Sequence, residues 1–394
     1  MSGRLPRIPR SSEDDYTEPA VARRRALCES VAGRALPHLA GEPVPPASAR
    51  GKIENLAGFV QVPLGIAGPL RVDTHVGLRE VLVPLATTEG AMVASYSRGM
   101  KLLTEAGTAR ARVLREGLSQ HPMLVYADGE CATRARDAVA ALVPELERLT
   151  ASTTRHGSLV QVLPEQVGRR LVLRLVFRTG DAIGINMAAR ATELCARLVA
   201  ERTGAVERYV HGEDVEKRAN ARALHEGRGR SVLCEARIPR ALLAAQLRVT
   251  PEDLAAIHRS YQVGFARLGT QNGLVQAANG LAAILLACGQ DVAYVTESAT
   301  GFLELTPTDA GDLHASAYLP SLLVGTVGGG TGQGTAAECL DLLGVRGAGG
   351  ANLFAELIAA VVLAGDLSLL ASFCTHEFVE AHERLGRNRP EASA

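Results

Sequence analysis

Lysine is nearly absent from this chain: of 42 basic residues only Lys52, Lys101 and Lys217 are lysines, and all the others are arginine. An ammonium is a compact proton donor whose pKa moves readily, whereas a guanidinium stays charged, so a site needing a proton-donating cation cannot use arginine. GC-rich codon usage with three chance survivors would give the same count, so Lys217 is at this point a candidate only. Tryptophan is missing and phenylalanine occurs only seven times, so the 47% apolar content must build an aliphatic, alanine-rich core. Net charge is zero with acids and bases interspersed, which leaves no polyanion-binding face and argues against a nucleic-acid partner. The seven cysteines are scattered without a Cys-x-x-Cys pair. Such usage fits a reducing cytoplasm and argues against a zinc site, so no metal is expected. Residues 1–20 contain no apolar segment of the signal-peptide kind and are expected to be disordered. The longest apolar runs, Leu274 to Cys288 and Phe354 to Leu370, look interrupted or shorter than the roughly 20 residues a bilayer requires, so a soluble protein without a membrane partner is expected.

What is present suggests two domains, because 394 residues exceed one hydrophobic core. A helix is expected over 21–39, then a proline-rich loop, and a glycine- and proline-punctuated segment from Glu54 to Leu70 that suits an edge strand and turn. Arg79 to Ala86 reads as a strand. The following Thr87-Thr-Glu-Gly90 leads into a helix running to about Ala106, with Thr88 as its N-cap and Glu89 as a first-turn acid, so Glu89 needs no further role to be explained. Between about 112 and 210 a helix (132–147), two strands (158–163 and 169–178) and a helix (187–202) describe a small α/β sandwich inserted in a larger domain.

The second half is glycine-punctuated helix. Leu274 to Cys288 is stopped by Gly289, which places Asp291 at the negative end of a helix dipole, where carboxylates are disfavoured. A solvated loop acid is the plain alternative. Gly325 to Gly334 lies between an apolar strand and a helix, so its N–H groups could cradle a phosphate or serve as a hinge, and its spacing is not that of a Rossmann loop. A last helix, 363–385, carries an apolar stripe from Leu363 to Ala381 with His382 in its final turn, either as a cap or as an imidazolium acid.

Taken in order, these segments resemble the 3-hydroxy-3-methylglutaryl-CoA reductase family from Glu54 to about Gly386. The carriers are Glu54-Asn with Val62-Pro-Leu-Gly-Ile-Ala-Gly-Pro-Leu70, Ala86-Thr-Thr-Glu-Gly90 with Ser95-x-x-Arg-Gly99, Asp181-Ala-Ile-Gly-Ile-Asn-Met187, Glu226-Gly-Arg-Gly229, Cys288-Gly-Gln-Asp291, Gly325-Thr-Val-Gly-Gly-Gly-Thr331 and Gly365-Asp-Leu-Ser-Leu369. The resemblance implies an α/β (α+β) fold: a large domain (21–112 and 209–394) around a long central helix, and an inserted ferredoxin-like small domain (113–208) that receives NADP(H). It also implies a homodimer or higher homo-oligomer with the active site at the interface. Glu89, Lys217, Asp291 and His382 match the family's catalytic glutamate, lysine, aspartate and histidine.

For the cofactor, Asp181, Ala182, Ile183, Gly184, Ile185 and Asn186, together with Gly328, Gly329, Gly330 and Thr331, match dinucleotide-binding segments. Thr154-Arg155 resembles the pair that meets the 2′-phosphate, which favours NADPH over NADH. CoA is expected near Ser95, Arg98 and Lys101. The departures fall in the acyl pocket: Glu216 and Arg218 flank Lys217 where the family has aspartate and lysine, Arg259 stands for a lysine, Gln120 for an arginine and Gln276 for a histidine, while Asn279 is kept. The implied reaction is a four-electron, NADPH-dependent reduction of a CoA thioester, 3-hydroxy-3-methylglutaryl-CoA to mevalonate. A different acyl thioester, or a silent homologue that only binds CoA esters, stays open.

Overall fold

The structure is a computed structural model that describes residues 4–11, 14–270 and 272–376. Helix α1 (Glu18–Ala32) ends at Gly33 in the left-handed conformation, so the helix expected over 21–39 starts earlier and stops seven residues sooner. Glycine takes that conformation without steric cost and closes the helix. The segment expected to be disordered is held where it is described: Leu5 donates its N–H to Glu80, and Leu5 and Ile8 pack on a small cluster with Cys28, Leu36, Leu82 and Leu342.

Strands β1 (Leu64–Thr74) and β2 (Gly77–Ala86) form a hairpin, followed by α2 (Met92–Glu105) and β3 (Ala109–Gln120). Helix α2 starts four residues after Thr88, with Ala91 at φ 65° before it, so neither Thr88 nor Glu89 caps it. Next come β4 (Met123–Val125), α3 (Gly129–Ala151), β5 (Ser158–Val167), β6 (Arg170–Arg178), α4 (Ile185–Thr203) and β7 (Glu207–Tyr209). These strands pair antiparallel in the order β7–β4–β6–β5. With two helices in βαββαβ connectivity, this is the ferredoxin-like arrangement. It has its own core, which includes Leu124, Val139, Leu173 and Val199.

The larger unit resumes with α5 (Ala221–Glu226), β8 (Gly229–Ile238), α6 (Arg240–Leu247), α7 (Pro251–Leu268), α8 (Ala277–Ala287) and α9 (Val295–Ser298). It ends in β9 (Phe302–Pro307), β10 (Leu313–Leu322), α10 (Gly334–Leu342) and α11 (Ala351–Cys374). Its sheet runs β2–β1–β3–β8–β10–β9, and only β1–β3 is parallel. Strand β3 belongs to both sheets: Arg110 to Gly117 pair with β8, and Leu118 to Gln120 pair with β6. A boundary at residue 113 therefore runs through the middle of a strand.

Helix α11 is the long central helix, and it lies earlier than the expected 363–385: it begins at Ala351 and ends at Cys374. The apolar stripe misplaced its start because a helix buried all round has no polar face to mark it. Its 24 residues are long and apolar enough to cross a membrane, contrary to the run lengths read from sequence, yet 83% of its most apolar window is buried inside the protein. Helix α2 crosses it backbone to backbone. A Cβ on Gly99 would stand 1.8 Å from the Ala364 carbonyl oxygen, so only glycine permits this approach.

Candidate active site

Lys217 sits in the connection from β7 to α5 with its backbone at φ 56°. Its Nζ is 2.8 Å from Asp291 Oδ2 and 5.1 Å from the centre of the Tyr294 ring, an ion pair combined with a cation–π contact. The hydrogen bond to Asp291 lifts the Lys217 pKa above its ordinary value against partial desolvation, and the charges of Asp291, Glu216 and Glu297 add to this. The ammonium is therefore held charged. Asp291 also accepts the Ala293 N–H at 3.0 Å, so a carboxylate facing the C-terminus of α8 is offset by a cation and by the start of the next turn. The Tyr294 hydroxyl donates to Glu216, and burial first, then this bond, raises its pKa. Arg218 turns away: its Nη2 pairs with Asp214 at 2.7 Å.

The glycine-rich loop is adjacent to this cluster. A Cβ on Gly289 would lie 2.5 Å from the Gly330 oxygen, so the turn leading to Asp291 touches the loop directly. Gly328, Gly329 and Gly330 carry no side chains to cover their amides, and Thr331 Oγ1 donates to the Gly328 carbonyl at 2.6 Å to close the turn. Segment 181–187 packs on the same loop, for a Cβ on Gly325 would come within 2.8 Å of the Ile183 nitrogen. Gly184 precedes α4 at φ 85°, which puts Ile185 and Asn186 in that helix's first turn, where amides are unpaired within the helix. Thr154 Oγ1 accepts the His156 and Gly157 N–H groups, and Gly157 packs on Met187, so Thr154 and Arg155 flank the start of α4. The cofactor segments read from sequence thus lie together. The Asp181 carboxylate accepts from the Gly349 and Ala351 N–H groups and fixes the start of α11.

Glu89 occupies a second region. Its N–H donates to Thr87 Oγ1 at 3.0 Å and its carboxylate accepts from Asn279 at 3.3 Å, an arrangement no helix cap requires. Both line a cavity of about 1000 Å³ with Ser95, Arg98, Lys101, Gln276 and Arg248, and with Arg4, Arg7 and Arg10 of the amino-terminal arm. Ser95 and Arg98 are tied to Ser368 on α11, at 3.1 Å and 3.0 Å. Burial first, then the neighbouring charge of Arg248, lowers the Arg98 pKa. Gln276 is turned inward onto the Gly365 carbonyl, and its N–H meets Asp366 at 2.8 Å.

These two regions lie at opposite ends of α8: Asn279 is in its first turn and Asp291 just beyond its last. An 11-residue helix spans roughly 16 Å, so Glu89 is not beside Lys217 within one chain. Gln120 is buried at the end of β3, its Nε2 without a partner among the described residues. Arg259 is exposed on α7 and lines neither region, and His382 lies outside the described residues. Among those residues no group of three His, Cys, Asp or Glu side chains could hold a metal ion.

Sequence reading passed over several members. Arg228 and Glu297 form a fully buried pair at 2.9 Å, and Glu297 accepts the Lys217 N–H. Asp366 is completely buried, and burial pushes its carboxyl up to about 6 although two amides bond to it. Arg228 and Asp366 stand inside quoted motifs, whereas Tyr294 and Glu297 had only their spacing of three and six residues from Asp291 as a signal.

Residues 20–387 match the family described as Hydroxymethylglutaryl-coenzyme A reductase. Among curated relatives, the 3-hydroxy-3-methylglutaryl-coenzyme A reductase of Haloferax volcanii is 41% identical over 379 residues, 93% of each chain. That of Pyrococcus abyssi is 40% identical over 93% of this chain and 92% of its own. The class II enzyme of Streptococcus pneumoniae, solved bound to NADPH in open conformations, superposes with a TM-score of 0.75 at 23% identity, covering 92% of this chain and 100% of that one. A family match over nearly the whole length, with relatives this similar end to end, shows that the chain belongs to the hydroxymethylglutaryl-coenzyme A reductase family.

Proposed function

We propose that the chain reduces 3-hydroxy-3-methylglutaryl-CoA to mevalonate and free CoA with NADPH, in the cytoplasm, as a homodimer or higher oligomer. The observation that carries the reading is the Lys217 ammonium, paired with Asp291 and set beside the glycine-rich loop. NADPH, when bound, supplies hydride to the thioester carbonyl and then to the aldehyde. The exposed amides of Gly328 to Gly330 and the first turn of α4 suit its phosphates, and Arg155 suits the 2′-phosphate. Lys217 stabilises the oxygen as it gains charge and gives it a proton. The six cations Arg4, Arg7, Arg10, Arg98, Lys101 and Arg248 around the large cavity suit the phosphates of CoA.

The separation of Glu89 from Lys217 along α8 supports a shared site: a second copy that brought its Glu89 and CoA cavity to this Lys217 would complete it. His382 would protonate the departing thiolate. Purified protein with NADPH and 3-hydroxy-3-methylglutaryl-CoA should oxidise two equivalents of NADPH for each thiol released, and absence of turnover would refute the reading. A different acyl thioester is favoured by one observation. Around Lys217 the described arginines Arg218 and Arg222 are committed to Asp214 and Glu165, and Gln120 is neutral, so among the described residues none of these three offers a free cation to a terminal carboxylate. Turnover of another CoA thioester, with none of the 3-hydroxy-3-methylglutaryl ester, would establish it.

A further inference from the structure

The φ of 56° at Lys217 is in the left-handed region that side chains other than glycine and asparagine rarely enter. Such a conformation persists only where the surroundings impose it. Here the surroundings are specific. Glu297 Oε1 accepts the Lys217 N–H at 2.5 Å, and both Glu297 oxygens lie 2.9 Å from Arg228 Nη1. Arg228 is anchored in turn: its Nε donates to the Ser119 carbonyl at 3.0 Å and its own N–H to Ser321 Oγ at 2.9 Å. Arg228 Nη2 has no partner among the described residues, so the pair is not arranged for stability alone. Apolar residues fill such a space at least as well as a buried ion pair does.

Asp291, Tyr294 and Glu297 recur at intervals of three along the turns 292–298, which puts them on one face. That face meets Lys217 at three points: its ammonium, the space beneath it, and its backbone N–H. We propose that Glu297 is a positioning residue for Lys217: its buried carboxylate, fixed by Arg228, clamps the Lys217 backbone and thereby aims the ammonium at Asp291 and the reacting oxygen. The aiming role rests on the catalytic reading of Lys217, whereas the clamp itself does not depend on any substrate.

The informative variant is Glu297→Asp, which keeps the charge on Arg228 but is one methylene short of reaching Lys217 as well. It should lower kcat about tenfold or more while KM for NADPH and for the thioester stays within about twofold, since only aim is lost. The alkaline limb of its kcat profile should move to lower pH, because a negative charge has been withdrawn from the ammonium. A folded Glu297→Asp protein with wild-type kcat and pH profile overturns the proposal. Should that variant not fold, hydrogen exchange on the wild-type protein decides: the Lys217 amide should exchange at least about tenfold more slowly than those of Val215 and Arg218. Equal rates would overturn it. Slow exchange in a protein that does not reduce the thioester would leave the clamp standing and refute the catalytic reading alone.

Discussion

Replacing Gly99 by alanine tests whether the crossing of α2 over α11 sets both stability and the large cavity. The added Cβ would lie 1.8 Å from the Ala364 oxygen, 2.5 Å from its carbonyl carbon and 3.0 Å from its Cα. A carbon–oxygen contact relaxes only near about 3.3 Å, so the helices must part by about 1.5 Å. Overpacking of this kind costs about 1–3 kcal/mol. Parting also stretches the bonds from Ser95 and Arg98 to Ser368, each worth about 1 kcal/mol, while the gain in helix propensity returns about 1 kcal/mol. The net loss is about 4 kcal/mol. Denaturant unfolding followed by circular dichroism measures it, and KM for the CoA thioester should rise because Ser95, Arg98 and Lys101 move with α2. Gly264→Ala is the control: it lies in α7 with nothing within 4 Å of the added carbon, and should stabilise slightly. A Gly99→Ala protein as stable as the wild type with unchanged KM refutes the reasoning.

Lys217→Arg keeps the charge but removes the proton donor, so kcat should fall about 10²–10⁴-fold in the NADPH absorbance assay, and retention of a tenth of the activity would exclude proton donation by Lys217. Asp366→Asn should change how stability depends on pH. The folded carboxyl titrates at about 6 against an unfolded value of 3.8, so its contribution is complete below about 4 and is lost as pH rises through 6, on the order of 3 kcal/mol. Thermal midpoints measured from pH 4 to 6 should show this fall in the wild type relative to the variant, and parallel curves would count against it. The triple change Arg4→Ser, Arg7→Ser, Arg10→Ser should raise KM for a CoA thioester about tenfold and weaken its salt dependence, while leaving KM for the phosphate-free pantetheine thioester alone. An equal effect on both thioesters would separate the arm from phosphate binding.

Elements with a periodic face were legible from sequence: β6 was placed to within a residue and α4 to within two. Helix α11 was misplaced because an apolar surface all round carries no phase, and α2 because Thr88 and Glu89 look like a cap although Ala91 breaks the backbone before Met92. That segment 181–187 and the 325–331 loop pack together was legible because glycines at close approaches leave a local signature. Glu297 was not: its partners, Arg228 and the Lys217 amide, are 69 and 80 residues away in the chain, and nothing local distinguishes it from a solvated helix acid. The resemblance groups Glu89 with Lys217 and Asp291 in one site at a subunit interface, and within a single copy α8 holds them apart.

The small unit is joined to the larger one at two crossings of the chain. It is entered along β3, which is shared by both sheets, and it is left through the stretch from Tyr209 to Asn220 that carries Lys217. The His121 carbonyl at the entrance accepts the Glu213 N–H at 3.0 Å, so entrance and exit are bound to each other. A rotation of that unit therefore has to strain either this paired neck or the bonds that hold Lys217 to Asp291 and Glu297 in the larger unit. On the proposed function, nucleotide binding at the small sheet and the placement of the lysine are coupled through that strain.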